Sequence, residues 1–124
     1  MADLYFIPLN YASKQLQNDK EVVLTAVKKN GLALDYASNA LKDTKVVLAA
    51  VKQNGFALSY ASLKLKADKD LILAAFKKNK NVFNLNFVMK ALQNDQQLLD
   101  ELRRLNFITN KQINKLKKTI IIII

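Results

Sequence analysis

The sequence predicts an all-α fold, a short α-solenoid of two-helix repeats of about 24–25 residues, and three observations support it. A Tyr-Ala-Ser triplet occurs three times, beginning at Tyr11, Tyr36 and Tyr60. Apolar residues after each triplet recur with the 3.6-residue period of a helix. Glycine occurs only twice and proline once, whereas sheets need many of the turns that these residues form. We expect a single helical-repeat domain over residues 1–124, since domains usually contain about 100–150 residues.

The repeats align as three clear copies and a weaker fourth. In the fourth copy Phe87 takes the tyrosine position, and Leu98, Leu99, Leu102 and Leu105 continue an apolar helical face. This divergence suits a terminal unit, because one side of such a unit meets water. The units lie near residues 11–35, 36–59, 60–84 and 85–108, and a capping helix with an isoleucine tail follows at 109–124.

The longer helix of each unit is predicted to begin after an aspartate. Asp19 is a favourable N-cap residue, and Glu21 lies in the first turn, where the helix dipole favours an acidic side chain. Gly31 follows the last turn, where we expect a left-handed C-cap. The helical period places four apolar residues on one face, which we expect to be buried: Val22, Val23, Ala26 and Val27.

The shorter helix of the unit is predicted over residues 33–41, with Leu34, Ala37 and Leu41 on one side. A helix of about ten residues is marginal alone in water, so neighbouring units must stack to stabilise it. The first unit has little chain before it. We expect its open end to be covered by Tyr5, Phe6 and Ile7.

The last part of the chain has a helix-start signal. Thr109 and Gln112 have the spacing of a capping box, which predicts a final helix with Ile113, Leu116 and Ile120 facing inward. The tail at residues 120–124 has three interpretations: a continuation of this helix, an edge strand, or a simple-sequence artefact. A bilayer core is about 30 Å thick, so five residues are too few to span it.

These repeats resemble a family of bacterial and protist repeats known as a domain of unknown function. Its repeat reads approximately D-K-E-V-V-L-x-A-V-x-x-N-G-x-A-L-x-Y-A-S-x-x-L. Residues 11–80 follow that pattern well and residues 81–106 loosely, and Lys80 replaces the glycine in the third copy. The resemblance implies an all-helical repeat with an interaction role and supplies no site residues. Because members often occur in longer proteins, it also leaves open a fragment of a larger repeat protein or a secreted effector.

The composition argues against an enzyme. The chain contains no histidine and no cysteine, which removes the commonest general base, the usual metal ligands and the thiol nucleophile. Two acidic pairs, Asp19 with Glu21 and Asp68 with Asp70, recur with the repeat, so we interpret them as helix caps. The serines of the triplets have no lysine at the S-x-x-K spacing, and the chain has no histidine to activate them. We expect no catalytic residues, no metal site and no cofactor.

The surface feature of most interest is the lysine content. The net charge is +10, which permits binding to nucleic acid, anionic lipid or an acidic protein. A biased codon composition is the favoured explanation over a dedicated polyanion site. Two sets of lysines recur with the repeat and form the candidate binding surface. The triplet tyrosines are interpreted as packing residues whose hydroxyls reach the surface, with base stacking as the alternative. The two lysine sets are Lys20, Lys45 and Lys69, and Lys28, Lys52 and Lys77.

The favoured hypothesis is a non-catalytic interaction module that binds a protein or peptide partner. The alternative is a binder of RNA or another polyanion through the lysines, which the absence of tryptophan and of arginine-rich clusters disfavours. No secretory signal is visible at residues 1–10, so we expect a cytoplasmic location, with secretion as an effector left open. The oligomeric state stays open.

Overall fold

The computed structural model describes the backbone of residues 8–123 and the side chains of residues 8–117. Over these residues the chain forms helices and no strands, which confirms the predicted all-α class. The residues expected to cover the open end, Tyr5, Phe6 and Ile7, lie outside the described part. The α-helices are α1 (Lys14–Gln17), α2 (Lys20–Lys29), α3 (Thr44–Gln53), α4 (Leu63–Lys66), α5 (Lys69–Lys78), α6 (Asn86–Asn94), α7 (Gln96–Arg104) and α8 (Asn110–Ile123).

Short 3₁₀ helices connect or precede the α-helices in the described part of the chain. After α2 and after α3, a short 3₁₀ helix is followed by a second short element, and after α5 it is followed by the longer helix α6. The 3₁₀ helices are Leu9–Tyr11, Gly31–Tyr36, Asn39–Leu41, Gly55–Tyr60 and Lys80–Asn84.

The long helices begin where the sequence predicts, after an aspartate. The carboxylate of Asp19 accepts a hydrogen bond from the Val22 N–H, at 3.2 Å. The Asp43 carboxylate accepts from the Val46 N–H in the same way, at 3.0 Å. Such a cap satisfies one of the backbone donors that the first turn leaves unpaired, and its removal costs about 0.5–2 kcal/mol. The predicted cap at Asp19 is confirmed.

Equivalent elements of successive units pack against each other. Helix α2 contacts α3, α3 contacts α5, and the 3₁₀ helix Gly31–Tyr36 contacts Gly55–Tyr60. The apolar face predicted for the long helices is buried between these two rows of elements, and Ala26 lies at its edge, half-buried. Burial of a valine, leucine or isoleucine side chain stabilises by about 1.5–3 kcal/mol. The buried positions of this face are Val22, Val23, Val27, Val46, Val47, Val51, Leu71, Ile72 and Phe76.

The second helix of the unit differs from the prediction. Instead of one helix over residues 33–41, the structure has a 3₁₀ helix over Gly31–Tyr36, an extended residue at Ala37 and a second 3₁₀ helix over Asn39–Leu41. In the units on either side, the triplet serine caps a short new helix. The Ser13 hydroxyl accepts from the Leu16 N–H. A serine at this position favours a helix start over a helix interior, because its side chain competes for backbone donors.

The predicted left-handed C-cap at Gly31 is wrong. Neither glycine has a positive φ. Each glycine instead lies directly against the next long helix: a Cβ on Gly31 would collide with the Ala50 carbonyl oxygen, and one on Gly55 would lie 2.6 Å from that of Ala75. The glycines are therefore required by close approach between units, not by their backbone conformation.

Each of these close approaches carries a hydrogen bond between units. The Gly31 N–H donates to the Gln53 side-chain carbonyl at 2.6 Å, and the Gly55 N–H donates to that of Asn79 at 2.7 Å. Lys78 occupies the place of Gln53 in the next unit, but a lysine ammonium can only donate and cannot accept a hydrogen bond from the glycine N–H. Asn79, one residue later, supplies the acceptor instead.

The end of α7 is closed by a left-handed asparagine. Asn106 has a φ of 62°. Its N–H donates to the Arg103 carbonyl, and the Phe107 N–H donates to the Leu102 carbonyl, the two bonds of a Schellman motif. Leu98, Leu99 and Leu102 are buried as predicted. Leu105 is exposed, contrary to the prediction, because it is the C-cap residue of α7 and lies beyond the buried face.

The predicted capping box at the start of α8 is confirmed. The Gln112 N–H donates to the Thr109 hydroxyl at 3.2 Å, and the Thr109 N–H donates to the Gln112 side chain at 2.8 Å. Ile113 and Leu116 are buried, as predicted. The backbone of α8 continues to Ile123, in agreement with the helical interpretation of the isoleucine tail. The side chain of Ile120, also predicted to face inward, lies outside the described side chains.

Candidate interaction surface

Two of the candidate lysines form ion pairs between units. The Lys20 ammonium lies 3.3 Å from the carboxylate of Asp43, and the Lys69 ammonium lies 3.2 Å from that of Asp95. Each lysine is the first residue of its helix, and each aspartate is the N-cap of a later helix. A lysine at this place opposes the dipole of its own helix. The carboxylate of the other unit offsets this unfavourable interaction.

Lys45 does not belong to the set of Lys20 and Lys69. Lys45 is the second residue of α3, and Thr44 is the first. The chain from Tyr36 to Asp43 is one residue shorter than the chain from Tyr11 to Asp19. Alignment on the tyrosines therefore shifts the second unit by one residue. The prediction that Lys20, Lys45 and Lys69 share one repeat position is therefore wrong, and Lys45 lies exposed on the surface of α3.

The capping aspartates in these pairs are held in their charged form. The Val46 N–H that donates to Asp43, and then the Lys20 ammonium, lower the pKa of Asp43 below its ordinary value of 3.8. The Leu98 N–H and then Lys69 lower the pKa of Asp95 in the same way. A hydrogen bond or a cation beside a carboxylate favours its ionised state. Lys20 and Lys69 thus have a structural partner within the chain.

The other candidate set does share one repeat position. Lys28, Lys52 and Lys77 lie in the last turns of α2, α3 and α5, where a cation complements the helix dipole, and all three are exposed. Lys52 and Lys77 line one open groove between α3 and α5, about 380 Å³ in volume. We call it the lysine groove, and its lining residues are Lys52, Asp70, Leu73, Ala74, Lys77 and Lys78.

The lysine groove combines a charged rim with an apolar floor. Leu73 and Ala74 are half-buried between the two helices, whereas Lys52, Lys77 and Lys78 are exposed. Asp70, on the first turn of α5, is the acidic residue of the lining. Within the described residues neither Lys52 nor Lys77 forms an ion pair. These two ammonium groups are therefore available to a partner.

A second groove, which sequence reasoning missed, lies between α4 and α6. It is about 240 Å³ in volume, and we call it the Leu63 groove. Leu63 is 85% exposed, the largest exposure among the described large apolar side chains. The Lys66 ammonium lies 5.2 Å from the centroid of the Phe87 ring, within the range of a cation–π contact. The lining includes Leu63, Lys66, Ala67, Phe87, Lys90 and Ala91.

The packing role predicted for the triplet tyrosines is wrong for Tyr11, which is 79% exposed. Tyr36 and Tyr60 are 46% and 37% exposed, so more than half of each residue is covered. Ala37 and Ala61, the second residues of their triplets, are buried in their place. The triplet therefore directs its alanine inward and its tyrosine to the surface. The stacking alternative stays a prediction.

The described part of the chain lacks the features of a metal site and of a membrane span. There, no group of three or more acidic, histidine or cysteine side chains is placed to hold a metal ion. The same residues include no helix both long and apolar enough to cross a bilayer.

One family model matches the chain, in two consecutive segments. It is described as "Domain of unknown function (DUF4116)" and matches residues 6–42 and 43–103. The chain belongs to the DUF4116 family. The boundary between the two DUF4116 segments falls directly before Asp43, the N-cap of α3. No curated protein and no solved structure matches the chain.

Proposed function

We propose that this DUF4116 chain is a non-catalytic binding module whose partner is an acidic peptide or an acidic segment of another protein. The lysine groove between α3 and α5 carries the proposal. It offers three ammonium groups above an apolar floor. An acidic segment with apolar side chains complements both features, since carboxylates pair with the rim while a side chain covers Leu73 and Ala74. The net charge of +10 adds attraction at long range.

The lining of the lysine groove favours a peptide over a nucleic acid. The lining contains no aromatic side chain on which a base could stack. Its apolar floor has no use in phosphate binding, whereas it suits an aliphatic side chain of a peptide.

The same lining supports binding rather than catalysis. A catalytic site needs an acid, a base or a nucleophile held in a cleft that excludes water. Asp70 and the lysines of the groove are open to solvent. The chain as a whole lacks histidine and cysteine, the side chains best suited to proton transfer and nucleophilic attack at neutral pH.

The proposal is tested by fluorescence polarisation with a labelled synthetic peptide of aspartate, glutamate and leucine. A matched peptide carries asparagine and glutamine in place of the acids. The double variant Lys52→Gln/Lys77→Gln should bind the acidic peptide about three- to tenfold more weakly, because it loses two partly exposed ion pairs. The control Lys14→Gln/Lys64→Gln removes the same charge from exposed positions outside the lysine groove. It should bind almost as the unaltered chain does.

Two outcomes would contradict the proposal. Equal loss in both double variants would mean that net charge, not the lysine groove, determines binding. Tighter binding of labelled polyuridylate than of the peptide, with an affinity that falls steeply as salt increases, would favour the polyanion alternative.

A further inference from the structure

We propose that the Leu63 groove is a second peptide-binding site, which accepts one large apolar side chain and pairs with a carboxylate beside it. This site shares no residue with the lysine groove and lies between different helices, α4 and α6. It extends the proposed function from charge attraction to the recognition of a particular side chain.

The repeats themselves provide the comparison that singles out this groove. Each triplet serine is followed by the first residue of a short helical element: Lys14, Asn39 or Leu63. The first two are polar and exposed, as a surface position requires. Leu63 is apolar although it is 85% exposed, so packing within the stack does not explain it. Contiguous exposed apolar surface, rather than a single exposed residue, marks a binding site, and Leu63 adjoins the apolar lining formed by Ala67, Phe87 and Ala91.

The C-cap residue of α4, Ala67, departs in the same direction. The residue before the capping aspartate is Asn18 in the first unit and Lys42 in the second, but Ala67 in the third. Ala67 and Leu63 both line the groove. Two polar positions of the repeat are thus apolar where they face this groove. Phe87 and Ala91 of α6 provide the opposite wall, and both are half-buried, whereas Leu63 and Ala67 are exposed.

The charge at the rim determines which apolar segment fits. Lys66 and Lys90 line the groove, and its lining contains no acidic residue. The Lys66 ammonium lies over the Phe87 ring at 5.2 Å, where it remains able to pair with a carboxylate of a ligand. Lys90 is exposed on α6. A partner with an aspartate or glutamate next to its apolar anchor would neutralise this rim, whereas a basic partner would be repelled.

The size of the groove limits what enters it. Its volume of about 240 Å³ lies below the roughly 300–1,000 Å³ of pockets that enclose a small organic ligand. A single leucine or phenylalanine side chain is therefore a better occupant than a cofactor or a metabolite. The rest of the partner would lie across the outer surfaces of α4 and α6.

The test is a nuclear magnetic resonance titration of the isotope-labelled chain with N-acetyl-Leu-Asp-amide. Amide shifts should concentrate in α4 and α6. Binding of N-acetyl-Ala-Asp-amide should be about three- to tenfold weaker, because the probe loses most of its apolar anchor. Binding of N-acetyl-Leu-Asn-amide should be weaker by up to about fivefold, the range of one partly exposed ion pair.

Two variants assign the effect to the groove. Leu63→Lys introduces the residue found at the equivalent place in the first unit. It should weaken binding of the leucine probe about as much as replacing the leucine of the probe by alanine does. Its matched control is Leu32→Asn, which alters an exposed leucine outside the groove. Lys66→Gln/Lys90→Gln should remove the preference for the aspartate probe over the asparagine probe, and Lys14→Gln/Lys64→Gln, which alters two lysines outside the groove, should leave it unchanged.

Three results would overturn the inference. The first is equal binding of the leucine and alanine probes. The second is equal weakening by Leu63→Lys and Leu32→Asn. The third is a change in the α4 and α6 shifts on dilution without any probe, which would identify a second copy of the chain as the occupant.

Discussion

The Lys20 ammonium lies 3.3 Å from the carboxylate of Asp43, and that carboxylate also caps the helix of the next unit. One aspartate thus joins a helix cap to an inter-unit ion pair. Lys69 and Asp95 repeat the relationship at 3.2 Å between α5 and α7. The boundary between α3 and α5 lacks the pair, because Thr44 occupies the lysine position there.

The missing pair can be restored by Thr44→Lys, which would face Asp68, the N-cap of α5. We expect the free energy of unfolding to rise by about 0.2–1 kcal/mol, as for other exposed ion pairs. The measurement is urea denaturation at low and high salt, since added salt should remove the gain. Thr44→Gln, which has similar length but no charge, is the control. A gain that is equal for both variants or independent of salt would contradict the ion-pair explanation.

The capping aspartates predict that the stability of the fold depends on acid. The pKa values of Asp43 and Asp95 are lowered below 3.8 in the folded chain. Their stabilisation is therefore complete above this value and is lost as the pH falls through the lowered folded pKa values. The free energy of unfolding, measured with urea across that range, should decrease as acid is added. Asp43→Asn keeps a capping side chain without a titrating group, so its stability should fall less steeply.

A second variant separates the causes of the Asp43 shift. The Val46 N–H contributes more than Lys20 to lowering this pKa, so Lys20→Gln should remove only part of the acid dependence that Asp43→Asn removes. If Lys20→Gln removes as much as Asp43→Asn, the ion pair and not the cap controls the titration.

The features predicted well from sequence are those that depend on local chemistry. The apolar face containing Val22 and Val23 follows from the helical period. The cap at Asp19 and the capping box at Thr109 follow from side chains that reach backbone donors three residues away. Each needs only a few neighbouring residues.

The features that sequence reasoning missed depend on contacts between units. Residue 31 has to be glycine because the Ala50 carbonyl of the next unit lies against it. Nothing within its own unit indicates this contact. The ion pair of Lys20 with Asp43 joins residues that are distant in sequence. Aligning Lys45 with Lys20 gives no indication of this pair. Alignment on the capping aspartates, rather than on the tyrosine triplets, would have placed Thr44 correctly.

The candidate site was anticipated only in part. Lys52 and Lys77 were selected because they recur, and the structure brings both to the lysine groove. The Leu63 groove does not follow from residues that the repeats share, since its lining departs from the repeat. Leu63 differs from its equivalents Lys14 and Asn39, and this difference was the available signal.

The close approach at Gly55 predicts a cost for even one added methyl group. Gly55→Ala should destabilise the chain by about 1–3 kcal/mol, because the new Cβ would lie 2.6 Å from the Ala75 carbonyl oxygen. This exceeds the gain of about 0.4–1 kcal/mol from a less flexible unfolded chain. Lys80→Ala, at the equivalent exposed position of the next unit, should change stability by less than about 0.5 kcal/mol. Equal effects of the two substitutions on urea denaturation would argue against the contact.

The left-handed backbone at Asn106 predicts an unusual order of substitutions. With a φ of 62°, this residue should accept glycine with a change within about 0.5 kcal/mol, because glycine has no Cβ to clash in that conformation. Asn106→Val should cost about 1–2 kcal/mol, since a β-branched side chain is strained there. The control Asn114→Val, on the exposed side of α8, should lose only a few tenths of a kcal/mol through helix propensity. Urea denaturation of the three variants measures the order, and a valine at residue 106 that is no worse than the one at residue 114 would show that the end of α7 adopts another conformation.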